Sequence, residues 1–322
     1  MKLSKTNKPK ILLAGVGHFG RHHLSDWKIL AKEGLIDLVG ILGVSKRSRT
    51  MARREGLDYF SECSKGLLSS LDAVDISTPP STHFQLAKRC LPYTNVFLEK
   101  PIALSVKEAL QLDQLAKRYK RVLFAGHIYR FNTCLKTLKQ YLDKSATRPF
   151  LAVCIMSDKP DVLPDDCGIL YSDLHGFDIF DYLFERQPRN LYSMGMKLRE
   201  DSTSHDTVSI LMNYGPDLMG EIHLQWNALP KTRRLELYFP DKKLSIDLLA
   251  QKISIFEQKK KRIIKMTKPK TPLLNELNFF LSALKDPHSG YPDALLGARI
   301  VHIAAQAERS LLSGKPVRYQ EI

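Results

Sequence analysis

No stretch of the 322 residues approaches the ~20 consecutive apolar side chains of a membrane helix, so no membrane partner is expected. The basic segment Met1–Lys10 runs into an apolar stretch cut short by glycines, without the long apolar core and cleavage site of a secretory signal; a cytoplasmic protein is expected. Cysteine is sparse. Cys63, Cys90, Cys134, Cys154 and Cys167 form no CxxC pair and are odd in number, which reads as reduced thiols packed as small hydrophobes. The ten histidines include His22 and His23 in the first helix, with no acidic residue at ligand spacing, so no metal site is expected. There is no Gly-x-Ser-x-Gly elbow and no Cys/His pair for nucleophilic chemistry.

What the chain has in excess is positive charge: 49 Lys and Arg against 34 Asp and Glu, a net +15. Nucleic acid, an anionic surface or a phosphate-rich small ligand could each answer to that. The basic residues are spread along the chain, and the clusters Lys46–Arg54 and Lys259–Lys270 lack the interleaved aromatics of a base-stacking platform. Nucleic acid is therefore not expected as a partner; a small-molecule substrate is. The second cluster reads as a solvated face.

The length suits two domains. From Lys10 to about Asp143, short apolar runs (Ile11–Ala14, Leu38–Leu42, Ala73–Ser77, Val96–Leu98, Val122–Ala125) alternate with helical patterns such as Phe84–Leu91 and Val106–Tyr119, the signature of βαβ units. After Pro149 the pattern changes. A helix over Leu174–Phe184 is followed by alternating runs at Thr207–Asn213, Gly220–Trp226, Arg234–Phe239, Leu244–Leu248 and Ile253–Phe256, several joined by turn signals, as in an antiparallel meander. Helices over Leu273–Ala283 and Ala294–Leu312 close the chain, stopped by Gly314 and Pro316. The expected fold is an α/β Rossmann domain over residues 1–126, and an α+β domain with a mainly antiparallel, open-faced sheet over 127–322, its final helix packing back on the first domain.

Gly15-Val16-Gly17-His18-Phe19-Gly20 follows a strand and opens a helix, the context that gives GxGxxG its meaning. Gly15 permits the tight turn, Gly17 lets backbone approach a diphosphate, and Gly20 lets helix and strand pack closely. His18 and Phe19 belong to the same cradle, at a helix N-terminus that favours anions. An NAD site usually places a carboxylate after the second strand to hold the ribose hydroxyls. Here Gly43, Ser45, Lys46 and Arg47 stand there instead, which suits a 2′-phosphate, so NADP(H) is preferred and NAD(H) remains possible.

Ser77-Thr78-Pro79-Pro80-Ser81-Thr82-His83 follows the third apolar run, with Ser81 or Thr82 the expected helix cap; Ser77, Thr78, Pro79 and His83 are candidate cofactor contacts. Val96-Phe97-Leu98 leads into Glu99-Lys100-Pro101, where a lysine can bind a substrate hydroxyl and tune its proton. The glycine fingerprint, the Ser-Thr-Pro-Pro turn, the Glu-Lys-Pro step and a later His-x-x-Asp, in this order, resemble the Gfo/Idh/MocA oxidoreductase family across nearly the whole chain. The resemblance implies hydride transfer at a hydroxyl-bearing carbon of a sugar, sugar nucleotide or inositol. It places Lys100 on the family's catalytic lysine, Glu99 beside the nicotinamide, His175 on the motif histidine and Asp178 on the acid three residues later. The family's usual acid four residues before the histidine is Tyr171 here, and Asp173 is the nearest substitute; alternatively Phe177 takes the histidine's place and no base is left.

Gly126-His127-Ile128-Tyr129-Arg130-Phe131-Asn132 looks like a stretch of sugar-nucleotide members, making Arg130 and Asn132 candidate substrate ligands, with Arg130 equally readable as a structural brace. The resemblance also implies a homodimer or homotetramer through the C-terminal sheet. A non-catalytic dinucleotide-binding or regulatory member, or a biliverdin reductase-like reductase, are the competing readings.

Overall fold

The apolar runs of the first half become the strands of a six-stranded sheet: β1 (Lys10–Ala14), β2 (Asp37–Leu42), β3 (Asp58–Phe60), β4 (Ala73–Ile76), β5 (Asn95–Glu99) and β6 (Leu123–Gly126). The structure is a computed structural model, in which residues 8–159, 167–199, 204–266 and 270–322 are described. The strand order is β3-β2-β1-β4-β5-β6 and every neighbouring pair is parallel. Parallel strands are covered on both faces, which is why Ile11–Ala14 and Ala73–Ile76 are buried at every position. Helices α1 (Gly20–Lys32), α2 (Lys46–Glu55), α3 (Lys65–Ser69), α4 (Pro80–Cys90) and α5 (Val106–Tyr119) supply the crossovers. The order reverses between β1 and β4, so the turns after these strands meet at the switch point where open α/β sheets bind ligands.

Two details differ from the sequence expectation. β3 is a three-residue edge strand, too short to show a periodicity. Helix α4 starts at Pro80 with Pro79 as its N-cap, and neither Ser81 nor Thr82 caps it. Pro80 lacks an N–H and its φ is already helical, so it fits the first turn without a side-chain cap.

In the second half α6 (Thr133–Lys144) precedes β7 (Leu151–Ser157), followed by α7 (Gly168–Ser172), α8 (His175–Phe184), β8 (Asn190–Met196), β9 (Thr207–Asn213), β10 (Met219–Gln225), β11 (Thr232–Tyr238), β12 (Lys242–Asp247), β13 (Lys252–Glu257) and β14 (Lys260–Lys265). With β15 (Val317–Arg318) they form a nine-stranded sheet, β14-β13-β12-β11-β7-β10-β9-β8-β15. Its pairs are antiparallel except β7 with β10. The alternating runs expected from the sequence leave out β7, β8 and β14. One face packs on helices: a Cβ on Gly176 of α8 would lie 2.9 Å from Ile222, and one on Gly220 of β10 would lie 2.8 Å from the Phe180 ring. These two glycines bring α8 close onto β10. Alternate residues on the other face, among them Met194, Leu211 and Met219, are exposed.

The chain ends in α9 (Pro272–Lys285) and α10 (Ala294–Ser313). By contact the chain forms two units, Met1–Gly126 with Leu273–Ala298, and His127–Pro272 with Arg299–Ile322, so one division falls inside α10. In the first unit Phe280 of α9 stands edge-on to Phe97 and Phe124, at 5.5 and 5.6 Å between centroids, and Tyr291 stacks on Phe124. No helix among the described residues is long and apolar enough to cross a membrane.

Candidate active site

The glycine turn shows three separate steric demands. Gly15 has φ +92°, and a Cβ there would meet Ser77 O at 2.8 Å and Thr78 Cγ2 at 2.9 Å. A Cβ on Gly20 would collide with the Gly15 carbonyl oxygen and approach Ser77 Oγ to 2.9 Å. At Gly17 nothing lies within 4 Å. The first and third glycines thus serve the protein's own packing, and the second faces open space beside His18 and Phe19, both exposed. Phe19 makes no side-chain cap on α1 and the first turn carries no acid, so the positive end of the helix faces open space without a competing negative charge. This fits a dinucleotide diphosphate, and a Cβ at position 17 would occupy part of that space.

Beyond β2 the backbone turns at Gly43, whose carbonyl accepts the Tyr59 hydroxyl at 2.8 Å. Ser45 accepts from Ser48 N–H at 3.1 Å and caps α2; its hydroxyl is engaged by the helix it starts. Lys46 and Arg47 are exposed in the first turn of that helix, and Arg49 lies over the Tyr59 ring.

At the ends of β4 and β5 the side chains hold one another. Ser77 donates to Gly15 O at 3.1 Å, tying the proline turn to the glycine turn. Thr78 and Thr82 hydroxyls are 2.7 Å apart, and Pro79 is exposed. His83 is buried, its ring nitrogens each 2.8 Å from a carbonyl, Thr78 O and Pro101 O. It therefore joins the two turns from behind. Glu99 is buried; its Oε2 accepts the Lys100 backbone N–H at 3.1 Å, and Lys100 itself is half-buried at the strand end. Opposite Glu99 on β6 stands Gly126, where a Cβ would come within 3.0 Å of Glu99 Oε1.

Sequence reasoning missed the group that holds Glu99. His23 has no acidic residue at ligand spacing in sequence, yet its Nδ1 lies 2.6 Å from Asp75 Oδ2 and its Nε2 3.0 Å from Glu99 Oε1. These partners are 52 and 76 residues away in sequence, beyond any local spacing rule. Among the described residues no cluster of three His, Cys, Asp or Glu side chains could hold a metal ion. The five cysteines are free thiols, with Cys63, Cys90, Cys134 and Cys154 buried.

In the second unit, His175 opens α8 and is half-buried, with the Tyr129 ring edge-on to it at 4.9 Å. Burial pushes the Tyr129 hydroxyl pKa up, against the pull of Arg233, so it stays a neutral phenol. Asp173, which ends α7, is buried with Arg233 Nη2 3.7 Å away. Tyr171 donates to Glu308 at 3.1 Å, so it is held by α10. Phe177 is in the core, 1% exposed.

The remaining candidates are occupied by structure. Arg130 donates to Asp178 at 2.7 Å and Asp181 at 2.6 Å, and Arg299 also pairs with Asp181. Asp178 is 1% exposed and faces His127 Nδ1 at 3.4 Å. Its contacts are those of a brace for α8, and Arg130 follows the bracing alternative. Asn132 is 1% exposed; its amide oxygen caps α6 through Cys134 N–H and Leu135 N–H, while its amide nitrogen donates to Leu248 O. These three bonds seat the Asn132 amide in the cap of α6 and against Leu248.

A parallel six-stranded sheet with an uncapped, glycine-lined helix end at its switch point defines a dinucleotide-binding protein of the Rossmann class. The family described as "Oxidoreductase family, NAD-binding Rossmann fold" matches residues 9–127. The UDP-N-acetylglucosamine 3-dehydrogenase of Acidithiobacillus ferrooxidans is 25% identical over 91% of this chain and 94% of its own. Its crystal structure superposes with a TM-score of 0.84, at 22% identity, over 95% of this chain and 98% of that one. The myo-inositol 2-dehydrogenase of Thermotoga maritima is 21% identical over 97% of this chain and 99% of its own. An inositol dehydrogenase homolog from Azotobacter vinelandii, complexed with NADH and myo-inositol, shares the fold with a TM-score of 0.84 at 15% identity, over 98% of each chain. Over residues 9–127 the chain matches the Gfo/Idh/MocA oxidoreductase family, and its similarity to these dehydrogenases extends over nearly its whole length.

Proposed function

We propose that the protein is an NADP(H)-dependent dehydrogenase acting at a secondary hydroxyl of a sugar nucleotide or inositol, with Lys100 and His175 handling the proton. The observation that carries the reading is the contrast within the glycine turn. Gly15 and Gly20 are closed by protein atoms, and Gly17 opens to space at an uncapped helix end. The diphosphate is assigned to the backbone of residues 15–20. Lys46 and Arg47 are assigned to the 2′-phosphate, since both are exposed and no carboxylate stands at the end of β2. The full-length similarity to a UDP-N-acetylglucosamine dehydrogenase and to an inositol dehydrogenase supports the substrate class.

The nicotinamide, when bound, supplies a hydride acceptor at its C4. In the oxidising direction Lys100 holds the substrate oxygen through its ammonium, which favours the developing alkoxide. His175 takes the hydroxyl proton as the carbon–oxygen double bond forms and the hydride departs. The Tyr129 ring orients the imidazole from its own unit, Asp178 with Arg130 fixes the helix that carries it, and Asp173 is assigned as the acid that stands in for the family's usual one. The exposed sheet face with Met194, Leu211 and Met219 is the surface assigned to a second copy of the chain.

The test is a fluorescence titration of NADPH and NADH into the full chain, followed by an absorbance assay with UDP-N-acetylglucosamine and myo-inositol. Lys100→Ala and His175→Ala are expected to abolish turnover and leave NADPH affinity intact. Turnover at wild-type rate in both variants, or tighter binding of NADH than of NADPH, defeats the respective part of the reading.

A further inference from the structure

Helix α1, whose first turn is assigned to the diphosphate, carries a charged group that this chemistry leaves unused. His23 is wholly buried, with Phe19 and Phe97 edge-on to its ring at 5.2 and 5.5 Å. The charged groups facing it are Asp75 from β4 and Glu99 from β5, one at each ring nitrogen. An imidazole between two carboxylates satisfies both only by donating at both, as an imidazolium. Burial alone would push its pKa down; the charge of Asp75 and the hydrogen bonds with Asp75 and Glu99 outweigh that and raise it to about 10. Trp27, one turn further along α1, donates to the same Asp75 oxygen at 2.6 Å and fixes that end of the link. At the other end the two Glu99 oxygens are divided, Oε1 to His23 and Oε2 to the Lys100 backbone N–H.

We propose that His23 is a positioning residue for the reaction: a buried cation that clamps Glu99 and, through it, the Lys100 backbone to the helix that receives the cofactor diphosphate. The clamp acts inside one unit, from α1 through Asp75 and Glu99 to the end of β5. Gly126 is part of it, because any side chain at that position would press on Glu99 Oε1. A histidine serves better here than a lysine or a glutamine. It offers two opposed donors on a rigid ring, whereas a glutamine at position 23 would turn its carbonyl oxygen toward one carboxylate. The proposal rests on the reading of Lys100 as the residue that holds the substrate oxygen.

The experiment compares the full-length wild-type chain with His23→Gln by amide hydrogen exchange and steady-state kinetics. The Lys100 amide is expected to exchange at least about 10-fold faster in His23→Gln, a loss of ~1.4 kcal/mol of protection, while the Phe97 amide in the middle of β5 keeps its rate. In turnover of UDP-N-acetylglucosamine, kcat is expected to fall roughly 10- to 100-fold with the NADPH Kd and substrate KM within about threefold. The double variant His23→Gln/Glu99→Gln, which replaces the charged pair by two amides, is expected to recover part of the Lys100 protection. Unchanged exchange at Lys100, or an equal acceleration along all of β5, overturns the clamp whatever the kinetics. Should His23→Gln not fold, ring ¹⁵N spectra of the wild type decide: two N–H signals from His23 at pH 8 are expected, and one overturns it. A wild-type chain that oxidises neither UDP-N-acetylglucosamine nor myo-inositol defeats the reading of Lys100 and leaves the exchange result to stand or fall alone.

Discussion

The Tyr129 ring stands edge-on to the His175 imidazole, with centroids 4.9 Å apart and planes at 78°. The ring contact orients the histidine, and the phenol remains protonated because burial holds its pKa up. Tyr129→Phe keeps the contact and is expected to leave kcat within about twofold. Tyr129→Ala removes an edge contact of ~0.5–1.5 kcal/mol and is expected to lower kcat roughly 2- to 10-fold. The kinetic assay with UDP-N-acetylglucosamine checks both, and an equal effect of the two variants would remove the ring from the account.

Gly17→Ala and Gly20→Ala are expected to fail in different ways. A methyl at position 20 meets backbone of the Gly15 turn and should cost about 1–3 kcal/mol of stability, read as a lower urea midpoint. A methyl at position 17 meets no protein atom and should leave the midpoint unchanged while weakening NADPH binding.

Arg47→Ala and Lys46→Ala remove exposed charges, so neither should change stability by more than about 0.5 kcal/mol. Each is expected to raise the NADPH Kd about 10-fold by removing a charge-assisted bond to the 2′-phosphate, with the NADH Kd unchanged. Parallel fluorescence titrations give the ratio, and a proportional loss for both cofactors contradicts the assignment.

His23 also sets a pH dependence. Its folded-state pKa is raised to about 10 from an ordinary 6.5. The stability it contributes is therefore fully present below pH 6.5 and is lost progressively as pH rises from there through 10. Urea midpoints are expected to fall across pH 7–10 in the wild type and to fall less in His23→Gln.

Arg130→Ala would leave Asp178 and part of the Asp181 pairing uncompensated in a buried place, at a cost of about 3–5 kcal/mol. Burial opposes ionisation of Asp181, but its bonds to Arg299 and Arg130 hold its pKa below the usual carboxylate range. Its contribution is thus present above that range and disappears as pH falls through the lowered value. Acid unfolding should begin at higher pH in Arg130→Ala than in the wild type.

Local chemistry made the glycine turn readable from sequence, since Gly15, Gly17 and Gly20 answer to constraints within six residues of chain. The long strands β9 and β10 were readable for the same reason, their alternation being complete within seven residues. β15, two residues that join the sheet by pairing with β8, carries no pattern of its own. Arg130 and Asn132 were placed by their neighbours in sequence, but their roles depend on Asp178, Asp181 and Leu248, which only folding brings near. The clamp around His23 was illegible on the same ground.

The first unit has a consequence for how the chain is made. Its sheet emerges from the ribosome by residue 126, yet Phe280 and Tyr291, which cover Phe97 and Phe124, arrive only with residues 273–298. At ~5–20 residues per second of synthesis the nascent sheet waits on the order of ten seconds or longer with that aromatic surface bare. A chain cut after Gly126 would leave Phe97 and Phe124 without that cover permanently, so the first unit is completed only by the late residues 273–298.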